Sequence, residues 1–100
     1  KTRLLGVPSL TLSRYGAVSS QTAGIMAEAV RKIAAADIGI GVTGIAGPSG
    51  AVPGKPVGTV FIALADCRGV RCQRFLFRGS RSAVRRQSRD AALALLKERR

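Results

Sequence analysis

The chain has no histidine and no tryptophan, one tyrosine and two cysteines. Without histidine there is no imidazole to act as general base, and Cys67 and Cys72 alone cannot complete a metal site. Two cysteines are too few for a disulfide scaffold and fit a reducing, cytoplasmic compartment. Aromatics make up only 4% of the 100 residues, so a core must be built from Ala, Val, Ile and Leu, which the 46% apolar content allows. No uninterrupted apolar run approaches the roughly 18 residues of a membrane span. The opening residues do not read as a secretory leader, and a start on Lys1 rather than Met fits a processed or truncated piece.

Carboxylates are scarce as well: 5 Asp and Glu against 17 Lys and Arg, a net charge of +12. Between Arg68 and Arg89 lie eight arginines (68, 71, 74, 78, 81, 85, 86, 89) and no acid. Such a field attracts nucleic acid, a phosphorylated small molecule or an acidic partner. The plainer alternative is a solvated arginine-rich surface of the kind a high-GC genome encodes. Nucleic acid is the less favoured partner, because aromatics do not alternate with the arginines as they do on base-stacking surfaces.

Along the chain, Lys1–Leu5 reads as a last helical turn before Gly6, and Pro8–Tyr15 as a short helix ending at Gly16. Ser19 or Ser20 is an N-cap, after which Ile25, Met26, Ala29, Val30 and Ile33 share a helical face. Ile38, Ile40 and Val42 alternate with small residues, which predicts a buried strand whose other face lies close to another backbone. Val57–Ala65 is apolar on both parities and belongs in the middle of a sheet covered on both sides. Asp66-Cys67-Arg68-Gly69 is a turn and Val70–Arg78 the return strand of a hairpin. Ser80 caps a last helix with Val84, Ala91, Ala92, Leu95 and Leu96 on one stripe. The order predicts a three-layer α/β/α sandwich over residues 1–100. Its mixed sheet would have the hairpin as the antiparallel pair, and its N-terminal elements would lie upstream.

Thr43-Gly-Ile-Ala-Gly-Pro-Ser-Gly follows the first strand directly. Glycines beyond the carboxyl end of a strand let backbone N–H groups approach a phosphate or carboxylate, and a threonine hydroxyl adds a donor. The string is neither G-x-G-x-x-G nor a P-loop, so spacing alone leaves an anion-binding loop and a plain connector equally open.

Taken with Lys55-Pro-Val-Gly-Thr59-Val, Phe77-Arg-Gly-Ser-Arg81, Leu4-Leu-Gly-Val7 and Arg14-Tyr-Gly-Ala-Val-Ser19, that string resembles the CinA C-terminal domain, a family that includes stand-alone nicotinamide mononucleotide deamidases. The resemblance runs from residue 1 to about 96. It implies an α/β/α domain that hydrolyses the carboxamide of nicotinamide mononucleotide to nicotinic acid mononucleotide and ammonia, with a serine nucleophile and no cofactor or metal. That serine belongs to a Glu-Ser-x-Thr-Gly-Gly motif absent from these residues, so turnover by this segment alone is not expected.

The family's base lysine aligns with Lys1, and Thr43 with its motif threonine, as the catalytic candidates. Thr43, Gly44, Gly47 and Arg81 align with substrate-binding positions, Arg81 as a phosphate clamp. Arg85 and Lys55 are weaker candidates of the same kind. The plain alternatives are a frayed, solvated terminus for Lys1 and a strand-end cap for Thr43. A nucleotide is the expected partner, self-association through uncovered helix faces a further one, and a membrane none. Gly50-Ala-Val replaces the usual Gly-Gly-Thr, and Gly79-Ser-Arg81 the usual Gly-Asp-Arg, which removes a carboxylate beside Arg81. A basic binding module and a non-catalytic homologue are the rival functions.

Overall fold

A computed structural model describes residues 16–47 and 49–98. Among these, α1 (Ser20–Ile33) is followed by β1 (Gly39–Gly44), β2 (Thr59–Asp66), β3 (Gly69–Leu76) and α2 (Arg81–Glu98). The strands lie in the order β1-β2-β3. Every residue of β2 is buried, as its two apolar parities predict for a central strand. Phe61, Ala63 and Ala65 pack on one face against Ala23 and Ala27 of α1. Val60 and Ile62 pack on the other against Val84 of α2. The result is helix, sheet, helix, with burial of each large β2 side chain contributing about 1.5–3 kcal/mol.

Both pairings among the described residues are antiparallel, with Gly39 opposite Ala65 in one and Asp66 opposite Gly69 in the other. The β2–β3 hairpin is the antiparallel pair the sequence predicts, and β1 adds a second antiparallel pairing on the other edge of β2. The physical reason is the connection. A parallel pairing needs a crossover, usually helical, whereas the glycine- and proline-rich segment from Ile45 to Gly58 folds back as a wide hairpin loop.

Helix α1 starts where the serine predicts. Ser19 has extended backbone, and its Oγ accepts the Thr22 amide at 3.1 Å, a cap that contributes about 1 kcal/mol. Its buried face differs from the expected one. Thr22, Ala23 and Ala27 are buried, whereas Ile33 is 67% exposed and Ile25, Met26, Ala29 and Val30 are only half-buried. The cause lies on β1. A Cβ on Gly39 would sit 2.1 Å from the Ala27 carbonyl oxygen, and one on Gly41 2.3 Å from that of Ala23. The helix backbone lies directly on the strand, and only alanines fit between them.

The end of α1 carries strain. Ala36 N–H donates to the Arg31 carbonyl and Ala35 N–H to the Lys32 carbonyl, which leaves Ala35 at φ +50° where glycine is usual. Ala35→Gly should raise stability by about 0.5 kcal/mol, strain relief outweighing the added chain entropy, read as a small increase in Tm.

The β2–β3 turn is closed by Asp66, whose Oδ1 accepts the Arg68 amide at 2.9 Å and whose Oδ2 lies 3.5 Å from Arg71 Nη2. Cys67 and Cys72 are free and exposed. Partial desolvation still pushes the Cys72 thiol up. At about pH 8 a maleimide should therefore label Cys67 before Cys72, because the thiolate is the reactive form. No helix among the described residues is long and apolar enough to cross a membrane.

Candidate functional site

The loop that leaves β1 is built in two parts. At its base, Ile45 N–H donates to the Thr59 carbonyl at 2.9 Å and Gly58 N–H returns to the Ile45 carbonyl at 2.7 Å, which extends the ladder past the strands. Ile45 itself is buried, anchoring the base. At its tip, Val52 and Lys55 exchange backbone bonds across Pro53-Gly54. Gly54 has φ +81°, so the tip is a type II turn with proline and glycine at their preferred positions.

Two arginines hold this loop across the end of the sheet. Arg74 of β3 lies over the Phe61 ring at 5.7 Å and donates to the Gly54 carbonyl at 2.8 Å. Arg81, in the first turn of α2, donates to the Gly47 carbonyl at 3.2 Å. Directly paired residues share a face of the sheet, so Arg74, opposite Phe61, secures the tip on the α1 side. Arg81 secures the base on the α2 side.

The predicted site residues are divided by this arrangement. Thr43 is opposite Phe61 and so faces α1, where its hydroxyl donates to the Ala17 carbonyl at 2.6 Å. Arg81 stands on the other face and engages a carbonyl, so as found it braces the loop. Lys55 folds toward the segment before α1, with its Nζ 3.7 Å from where a Gly16 Cβ would lie. Thr43, Lys55 and Gly16–Ala17 gather on the α1 side; Gly47, Arg81 and Arg85 gather on the α2 side. Lys1 and Tyr15 lie outside the described residues, as do the two segments before Gly16 read as helix.

The glycines serve backbone exposure. Because Ile45 bonds to Thr59, ladder alternation makes Gly44 and Val60 a non-hydrogen-bonded pair, with the Gly44 N–H aimed away from β2. Among the described residues, no acceptor takes the amides of Ala46, Gly47, Ser49, Gly50 or Ala51. Gly47 has φ +88°, and a Cβ there would press on Val57 at 2.6 Å. The loop thus presents several main-chain donors at the sheet end, held by its own carbonyls.

The arginine field is smaller than the sequence suggests. Arg68 and Arg71 pair with Asp66, Arg74 and Arg81 hold loop carbonyls, and Arg89 pairs with Asp90 at 3.2 Å. Spacing alone does not show the roles of Arg74 and Asp66, since strand register decides which partner each one meets.

This architecture is an α/β sandwich whose distinguishing feature is a braced glycine loop at the end of an antiparallel sheet. The chain belongs to the CinA C-terminal domain family, whose model matches residues 1–99. It is 52% identical over 98 residues to a CinA-like protein of Syntrophus aciditrophicus, a match covering 97% of this chain and 23% of that protein. The described fold superposes on a competence-damaged protein (CinA) superfamily structure from Enterobacter cloacae with a TM-score of 0.87 at 40% identity. That match covers 94% of this chain and 56% of the other. A competence damage-inducible protein A from Klebsiella pneumoniae gives 0.90 at 36% identity, over 95% and 59% of the two chains. The chain therefore spans about a quarter of the length of the curated relatives it matches and somewhat over half of the solved ones.

Proposed function

We propose that the intact protein is an amidohydrolase of nicotinamide nucleotides, converting the carboxamide of nicotinamide mononucleotide to the carboxylate with release of ammonia. Residues 1–100 form the C-terminal portion of its single catalytic domain. The reading is carried by the loop after β1, where the Gly44, Ala46 and Gly47 amides are left without acceptors beside a strand end. Main-chain donors fixed in advance suit an oxyanion or a phosphate, because they need no rearrangement when charge develops.

In this proposal the serine nucleophile comes from outside residues 1–100 and Lys1 is its base. The rest of the 100 residues supply binding and orientation. Thr43 ties the segment before α1 to the strand end and offers its hydroxyl to substrate when the Ala17 carbonyl gives way. Arg81 keeps the loop open through Gly47 and meets the phosphate when one enters.

Ammonia release from nicotinamide mononucleotide by the intact protein is the test, and absence of release at high enzyme concentration overturns the proposal. Thr43→Val should lower kcat/KM by about 100-fold, the order lost with one oxyanion donor. Thr43→Ser should restore most of it, because the serine hydroxyl can make the same bonds.

A further inference from the structure

Thr22 makes a bond that its own helix does not need. Ser19 already caps α1 by accepting the Thr22 amide at 3.1 Å, and the first turn of a helix lacks acceptors for its N–H groups rather than donors. Yet the Thr22 hydroxyl reaches back past the cap and donates to the Gly16 carbonyl at 2.8 Å. A glutamate or glutamine is usual at this third helical position, where it turns back onto the N–H of the cap residue. Thr22 is fully buried, so its hydroxyl is cut off from water and depends on the bond to Gly16.

What the bond holds is the turn that meets Thr43. Gly16 has φ +84°, at a residue whose backbone is free to move elsewhere unless something fixes it. Ser19 Oγ lies 3.1 Å from the same carbonyl and 3.0 Å from the Thr22 hydroxyl, so two side chains grip Gly16 from the helix. The next carbonyl, that of Ala17, accepts the Thr43 hydroxyl at 2.6 Å from the strand. Ala17 is itself exposed, and its carbonyl is placed through its neighbours: Gly16 on one side and, on the other, Val18, which packs on the Ala23–Ala27–Phe61 cluster. A continuous path therefore runs from Thr22 through Gly16 and Ala17 to Thr43.

We propose that Thr22 is a positioning residue for Thr43. By fixing the Gly16–Ala17 turn it holds the Ala17 carbonyl in place, and through that carbonyl it sets the orientation of the Thr43 hydroxyl at the sheet end. The turn then stays where it is when the hydroxyl passes to substrate, and Thr43 needs only to rotate about one bond. Once the grip on Gly16 is loosened, the turn shifts with Thr43, and the hydroxyl samples orientations that miss the carboxamide. A small misplacement of a reacting group costs rate more than binding, so the loss falls on kcat. The inference rests on the amidase reading above for the part Thr43 plays in the reaction; the path of contacts stands without it.

Thr22→Val in the intact protein tests it. The substitution keeps the side-chain shape, and the Gly16 carbonyl keeps Ser19 Oγ as a partner, so the urea midpoint should stay near that of wild type. For ammonia release from nicotinamide mononucleotide, kcat should fall about tenfold, what one ordinary hydrogen bond contributes, with KM within about twofold. Thr22→Ser should restore kcat. In a Thr43→Val background the Thr22 change should cost nothing further, because the two side chains act as one unit. Ser88→Ala removes a part-buried hydroxyl that bonds the Val84 carbonyl of its own helix at 2.8 Å, and should leave kcat unchanged. An unchanged kcat in Thr22→Val overturns the proposal, as does a loss that Thr22→Ser fails to restore or that adds in full to Thr43→Val. Should Thr22→Val not fold, Thr22→Ala is read in the same way. The Thr43 methyl resonance of the ligand-free protein separates the two readings: it should shift in Thr22→Val and return in Thr22→Ser. If the intact protein releases no ammonia, the amidase reading falls and this resonance decides alone, a shift supporting the path from Thr22 to Thr43 and an unmoved methyl overturning it.

Discussion

Gly41→Val should lower the free energy of unfolding by more than about 3 kcal/mol, read from the urea midpoint at unchanged slope. The added Cβ would lie 2.3 Å from the Ala23 carbonyl oxygen and 2.8 Å from the Ala27 amide nitrogen, both backbone atoms of α1. Backbone cannot rotate aside as a side chain can, so the helix must lift from the strand and expose Ala23, Ala27 and the Phe61 face together. Gly41→Ala should already be severe for the same reason. A loss within about 1 kcal/mol for the valine variant would mean that the helix does not rest on the strand backbone.

Ile62→Ala and Ile33→Ala make the same chemical change at positions with opposite burial. Ile62 is 1% exposed between Val60 and Val84, and its truncation should cost about 2–5 kcal/mol through lost transfer energy and a residual cavity. Ile33, at 67% exposed, should cost no more than about 0.5 kcal/mol. Equal losses at the two sites would contradict the orientation of α1. The pair is informative because helical periodicity in the sequence places Ile33 on the buried face.

That mismatch shows what local pattern can and cannot specify. The order of elements, the Ser19 and Ser80 caps, the fully covered β2 strand and the turn at Asp66 follow from local chemistry, and each is present. The alternation of Ile38, Ile40 and Val42 with small residues also signals a close backbone neighbour, which α1 supplies. The rotation of α1 is not local. It depends on Gly39 and Gly41 admitting the helix so closely that alanines displace isoleucines at the contact. The direction of β1 is likewise tertiary, since a loop rich in glycine and proline is compatible with either sense until it is seen to fold back on itself.

For the candidate site, Thr43, Gly44, Gly47 and Arg81 lie at one end of the sheet but are divided between its two faces. Which face each one serves is set by strand parity. Thr43 pairs with Phe61 toward α1, while Gly44 pairs with Val60 toward α2. Arg74, which spacing alone gives no reason to select, emerges as a brace because β3 brings it over Phe61 and within reach of Gly54.

The most direct measurement of the central claim is an amide-resolved ¹H–¹⁵N titration of the intact protein with nicotinamide mononucleotide. If the loop beyond β1 is a preformed set of main-chain donors, the Gly44, Ala46, Gly47, Ser49 and Gly50 resonances should shift in a saturable way. The β2–β3 turn at Asp66–Gly69 should stay still. Saturable binding with those five amides unmoved would contradict the account.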